Sequence, residues 1–223
     1  MNDLDIANTI HRLHSELPQG VQLVAVSKFH PVSAIHAAYE AGQRIFGESR
    51  TVELLDKIPQ LPADIRWHFI GHLQTNKAKT IIGKVDLIES VDSQRLLDLI
   101  DRLSDEARVV TRVLMQVHVA AEETKFGWTP DELLDYFRER RFENLRATHL
   151  CGIMGMATNT DDVDRIRADF RRIALLHKEI LEIAPDLRGF DNISMGMSDD
   201  YLIAIEEGST MVRIGSDIFG SRY

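Results

Sequence analysis

Lys28 is the first residue of this chain whose position points to chemistry. It closes the run Val24-Ala25-Val26-Ser27-Lys28, so an apolar strand interior ends in an amine. Partial burial at such an end lowers a lysine's pKa and favours the neutral form that attacks aldehydes. A solvated lysine at a strand end is the ordinary alternative, and Lys28 by itself does not choose between them. A second group of residues lies near the other end of the chain. The segments Ile193-Ser194-Met195-Gly196-Met197-Ser198-Asp199-Asp200 and Val212-Arg213-Ile214-Gly215-Ser216 each pass from apolar to small and polar residues. Gly196 and Gly215 permit close backbone approach, and Ser194 and Ser216 offer hydroxyls to phosphate oxygens. Ser198 or Asp199 would serve equally well as a cap of the next helix. Arg213 stands two residues before Gly215, so strand alternation sends both to one face. There it reaches a ligand or pairs with a core-facing acid such as Glu48, and both readings stay open.

Other residues carry weaker signals. His68 and His72 are four apart in Trp67-His68-Phe69-Ile70-Gly71-His72 and would share a face of one strand, but no third ligand at suitable spacing argues for zinc. Gln74, Asn76 and Lys77 follow at a helix start. The ends of the second strand (44–50) and the fifth (122–127) place charge at the same rim. Met154, Met156, Met195 and Met197 are candidates for a pocket wall or for core filling. Cys151 sits in an apolar run, where a small buried hydrophobe is the commoner role than a nucleophile.

These residues need a scaffold that brings strand ends together. Apolar β-branched runs at 23–28, 44–48, 66–72, 87–91, 113–119, 147–154, 192–195 and 211–215 alternate with stretches of helical periodicity. That alternation is the signature of repeated βα units around a parallel sheet. Thr129-Pro130-Asp131-Glu132 marks one helix start, 161–183 is the longest helix, and an opening helix at 3–13 is expected to cover the barrel bottom. Eight such units in 223 residues predict an α/β fold, a (β/α)8 TIM-type barrel over 1–223 as a single domain, with its site built from its own loops. A doubly wound open sheet is the competing architecture, but its usual G-x-G-x-x-G and G-x-x-x-x-G-K-[ST] fingerprints are missing.

Composition narrows the partners. The formal net charge of −9 opposes a nucleic-acid partner, because backbone binding calls for a basic face. The 44% hydrophobic content is that of an ordinary globular protein. No apolar run approaches the roughly 20 residues that cross a bilayer, and the first ten residues lack a secretory pattern. One cysteine permits no internal disulfide and suits a reducing compartment, so the cytoplasm is the expected location.

Taken in order, Ala25-Val26-Ser27-Lys28, Phe46-Gly47-Glu48, Trp67 through Lys77, Ser194 through Asp200 and Val212 through Gly220 closely resemble the pyridoxal 5′-phosphate (PLP) homeostasis family, the YggS-type and PROSC-type proteins. The resemblance spans most of the chain. It implies an alanine racemase N-terminal domain-like barrel with PLP held on Lys28 as a Schiff base. It also implies a phosphate site of Ser194, Gly215 and Ser216, with Arg213 facing the pyridine nitrogen. An arginine only donates, so it would leave that nitrogen unprotonated and PLP a weak electron sink. The sequence departs from the family at Ser49, where Asn is usual, and at Val117-His118-Val119-Ala120-Ala121, while Glu122, Lys125 and Gly127 keep an E-x-x-K-x-G pattern.

The resemblance implies a PLP carrier or regulator, with PLP and apo PLP-dependent enzymes as partners, and not an enzyme. The alternative is a PLP-dependent amino-acid racemase. Racemisation needs a second acid/base, which alanine racemases draw as a tyrosine from a separate C-terminal domain. Tyr39, Tyr136 and Tyr201 fall in helical segments, and Tyr223 stands seven residues after Ser216. A barrel binding another small phosphate without a Schiff base is the third reading.

Overall fold

The computed structural model describes residues 2–120 and 126–220. Their strands are β1 (Gln22–Val26), β2 (Ile45–Glu48), β3 (Arg66–Phe69), β4 (Leu87–Val91), β5 (Thr111–Gln116), β6 (Thr148–Met154), β7 (Asn192–Ser194) and β8 (Met211–Ile214). They pair in parallel in chain order, and β8 returns to β1, closing the expected (β/α)8 barrel. The helices are α1 (Asp3–Glu16), α2 (Val32–Glu40), α3 (Thr51–Lys57), α4 (Thr75–Ile81), α5 (Gln94–Ala107), α6 (Pro130–Arg138), α7 (Val163–Ile183), α8 (Tyr201–Glu206) and α9 (Ser216–Phe219).

Local chemistry fixes these elements. Thr129 caps α6 through a reciprocal pair with Glu132, with Pro130 at the first helical position. Asp162 caps α7 by accepting from Asp164 and Arg165. Alternation along the strands then divides the side chains. Val24, Ile45, Leu87, Leu114, Cys151, Met154 and Met211 fill the barrel interior, while Ala25, Phe46, Val113 and Val212 pack outward under the helices. Each large side chain buried here contributes roughly 1.5–3 kcal/mol of transfer free energy.

Three strands end two or three residues earlier than the sequence suggested. β1 stops at Val26 because Ser27 and His30 close a turn, and β5 stops at Gln116 because Trp128 returns to pair with Val117. β3 stops at Phe69, before a turn that brings Gly71 against Ser49, where an added Cβ would lie 2.2 Å from the Ser49 carbonyl oxygen. The opening helix also differs from expectation. α1 packs against α2 and α9 in the outer ring rather than across the bottom of the barrel. Ile6, Ile10 and Leu13 form its buried stripe, and the short α9 leaves that flank of the ring open for it.

Candidate functional site

The C-terminal ends of the strands open into a pocket of about 230 Å³. Lys28 and His30 line it from the turn after β1, Met156 from beyond β6, Met197 and Ser198 from beyond β7, and Arg213, Gly215 and Ser216 from β8 and the start of α9. This volume is below the ~300–1,000 Å³ of drug-sized clefts and suits one small molecule. Lys28 and the Arg213–Ser216 segment, far apart in sequence, thus meet at one mouth. A larger cleft of about 400 Å³ lies outside the barrel between α5 and the turn at Arg141–Asn144. Two of its charges are already engaged: Asp101 accepts the Arg146 and Ala147 N–H groups, and Arg141 donates to Gln94 and Glu139.

Lys28 is half-buried and sits inside the turn closed by His30 N–H donating to the Ser27 carbonyl at 3.1 Å. Phe29 occupies the third position of that turn with φ +68°, a conformation normally left to glycine. A side chain held there costs on the order of 1–3 kcal/mol, so the surroundings must enforce it. The Phe29 N–H donates to Glu53 Oε1 at 2.6 Å, the Arg50 guanidinium lies 4.6 Å from the Phe29 ring centre, and His30 stacks on Phe219 of α9 at 5.0 Å.

Arg213 is buried and points inward with Met211, as alternation requires. It donates to Ser194 Oγ at 2.6 Å and to the Gly155 carbonyl at 3.0 Å, with Glu89 Oε2 3.8 Å away. The acid that faces it is therefore Glu89 on β4, and the pairing with Glu48 allowed by the sequence is corrected. Glu48 follows outward-facing Phe46 in the alternation and meets α3 instead, accepting from Lys57 Nζ at 2.8 Å and from Ser27 Oγ at 2.6 Å. Ser194 also departs from expectation. It is fully buried, and its hydroxyl donates to Glu89 Oε2 at 2.6 Å while accepting from Arg213, so it braces the arginine from beneath and does not line the pocket.

The polar interior continues to His68, whose Nδ1 lies 2.7 Å from Glu89 Oε1 and whose Nε2 lies 3.7 Å from Asp86 Oδ2. Burial alone would push the imidazole down, but its bonds and charge interactions with Asp86 and Glu89 carry the net shift upward. Burial acts to raise the Glu89 carboxyl, and His68 with Arg213 outweighs it and holds the group low. Burial pulls the Arg213 guanidinium below its usual range, with Glu89 and Asp200 opposing. An arginine nevertheless keeps its charge.

His72 does not join His68. It is exposed beyond the end of β3, bonded to Asp92 at 2.9 Å and stacked on Phe126 at 3.9 Å. Among the described residues no group of three metal-ligating side chains assembles. Gln74, Asn76 and Lys77 are exposed at the start of α4. The methionines divide: Met156 and Met197 line the pocket, and Met154 and Met195 are core. Cys151 is buried, and burial pushes its thiol up. Gly127 follows residues 121–125, so Glu122 and Lys125 lie outside the described residues. Glu89, Glu53 and Lys57 were not singled out from sequence. The signal for Glu89 was available, as an acid inside the otherwise buried strand Leu87–Val91.

A family model for the N-terminal domain of alanine racemase matches residues 3–223. The pyridoxal phosphate homeostasis protein of Haemophilus influenzae is 38% identical over 207 residues, covering 91% of this chain and 85% of the relative. This chain belongs to the pyridoxal phosphate homeostasis family. PipY of Synechococcus elongatus, a protein solved with PLP bound, superposes on it with a TM-score of 0.89 at 37% identity, covering 96% of this chain and 100% of that one. An alanine racemase from E. faecalis, 18% identical, shares the fold at a TM-score of 0.75, covering 100% of this chain and 59% of its own. This chain's fold thus corresponds to part of that longer chain.

Proposed function

We propose that this chain binds PLP at the barrel mouth and serves to hold and release it, as a homeostasis protein and not as an enzyme. The observation that carries this reading is the meeting of Lys28, Arg213 and the Gly215–Ser216 start of α9 around one small pocket. Each chemical part of PLP finds a matching group there. When bound, PLP supplies an aldehyde that condenses with the Lys28 amine to a Schiff base with loss of water. Ser216 answers the phosphate, because the first N–H groups of a helix have no partner within it and Ser216 is exposed, and Gly215, without a side chain, lets the phosphate come close. Ser198, whose Oγ accepts the Gly215 N–H at 3.3 Å, holds that corner in shape. Arg213 donates toward the ring nitrogen, and Ser194 and Glu89 keep it aimed.

One observation weighs against racemisation. Tyr39, Tyr136 and Tyr201 stand on outer helices, with Tyr39 donating to Asp64 and Tyr136 buried against Trp128 and Phe137, so none of them supplies a second acid/base at the pocket. We place the protein in the cytoplasm, on its single buried cysteine, with apo PLP-dependent enzymes as recipients. None of the helices in the described residues is long and apolar enough to cross a membrane.

The test is the absorbance spectrum with PLP before and after borohydride reduction, for wild type and Lys28→Ala. Wild type should show an imine band at about 420 nm, and reduction should fix about 0.23 kDa on Lys28. The variant should show neither. A band that survives in Lys28→Ala removes the lysine from the site, and a wild type that never develops one leaves a phosphate-binding barrel.

A further inference from the structure

We propose that Lys57, Glu48 and Glu53 form a positioning device that holds Lys28 from behind, through the backbone on both sides of it. Strand alternation gives the geometry. Lys28 faces the pocket, so Ser27 faces outward into the layer between the barrel and α3. There Lys57 Nζ is 6% exposed and donates to three oxygens: the Ser27 carbonyl at 2.9 Å, Glu48 Oε1 at 2.8 Å and Glu53 Oε1 at 2.6 Å. Ser27 Oγ donates to the same Glu48 oxygen, and the Phe29 N–H donates to the same Glu53 oxygen. The residues before and after Lys28 are thus tied to one buried ammonium through two carboxylates.

A cluster built only for stability would not need this arrangement. Burying one cation between two acids carries a desolvation penalty that a hydrophobic trio of equal volume would avoid. Glu48 Oε2 is buried with no hydrogen-bond partner, which adds to that penalty. The bonds are directed to the backbone of residues 27 and 29, and residue 29 is the one held at φ +68°. The cluster therefore supplies an external reason for a phenylalanine to stay in a glycine conformation while the amine next to it stays aimed at the pocket. Such strain persists only where its neighbours over-determine it.

The inference rests on the reading of Lys28 as the PLP lysine, and its test separates the two. The rate of appearance of the imine band with PLP is measured for wild type, Lys57→Met, Glu53→Ala and Glu53→Gln, with thermal unfolding as a control for folding. In parallel, reductive methylation of Lys28 by formaldehyde and cyanoborohydride is followed by peptide mass spectrometry, which needs no PLP. Lys57→Met and Glu53→Ala should slow both Lys28 reactions about tenfold or more, since ångström-scale misplacement of a reacting group costs up to about a hundredfold. Glu53→Gln, which keeps an acceptor for the Phe29 N–H, should stay within about threefold of wild type by the same reasoning. Folded variants with unchanged Lys28 rates overturn the proposal, and so does a Glu53→Gln as slow as Glu53→Ala. If Lys57→Met fails to fold, the Glu53 pair decides. If wild type gives no imine band, the PLP reading falls, and the methylation rates still decide whether the cluster positions Lys28.

Discussion

His68 is held between two carboxylates inside the barrel, and its titration should be written into the stability of the protein. Its pKa is raised on folding, so its contribution is complete below the ordinary histidine value and is lost as pH rises through the folded one. Glu89, held low, contributes above the ordinary glutamate value and loses that contribution as pH falls through its own lowered one. The two contributions overlap from roughly pH 4.5 to 6.5. Urea midpoints from pH 6 to 9 should therefore fall for wild type, and the fall should be shallower in His68→Gln. His177, which burial holds down, is present in both proteins and cancels from the difference. Identical slopes would mean that His68 is not charged in the native barrel. At this scale the sequence pointed to residues that the structure brings to one mouth. Lys28, Arg213 and Ser216 stood out as candidates because strand ends announce themselves by a change from apolar to polar residues. Ser194 was misplaced because alternation says which way a side chain points, not which partner has already taken its hydroxyl. Lys57 stayed hidden because a lysine in a helix reads as solvated, and only the packing of α3 over β2 shows that this one faces inward.

Between β5 and β6 the register moves from Val113 opposite Leu150 to Leu114 opposite Gly152, leaving Cys151 as the extra residue of a bulge. Gly152 takes φ +145° there, and a Cβ on it would lie 1.9 Å from the Asn192 carbonyl oxygen of β7. Gly152→Ala should cost roughly 2–4 kcal/mol in denaturant unfolding, from backbone strain together with the clash. Gly83→Ala isolates the strain, since Gly83 has φ +73° but its nearest neighbour, Val109, would lie 3.7 Å from the new Cβ. Its cost should stay near 1 kcal/mol. Equal losses at the two sites would show that the close approach of β6 and β7 has no energetic weight. The order and type of the elements were readable from periodicity and caps, as Thr129 shows. Strand ends were not, because β1 stops at a tight turn that its apolar pattern runs into, and β3 and β5 stop where Ser49 and Trp128, distant in sequence, meet the chain. The place of α1 was not readable either, since an amphipathic stripe demands a partner without naming it.

For the molecule as a whole, a ligand that binds only the folded barrel must stabilise it by mass action. PLP at a hundredfold excess over its dissociation constant should add about 2.7 kcal/mol, seen as an unfolding midpoint that climbs with PLP concentration. Lys28→Ala should climb far less. A wild-type midpoint that ignores PLP would count against the pocket as its site.

The contact between α1 and α9 joins the first helix of the barrel to the last. α9 has four residues, too few to hold a helical shape unaided, and it carries Ser216. The turn that bears Lys28 leans on the same short helix through His30 and Phe219. Tension applied at the first helix would therefore be felt at the ligand before it reached the strands. In a single-molecule pulling experiment from that end, grip on the cofactor would be lost in the opening event, while the parallel staves of the barrel were still locked together.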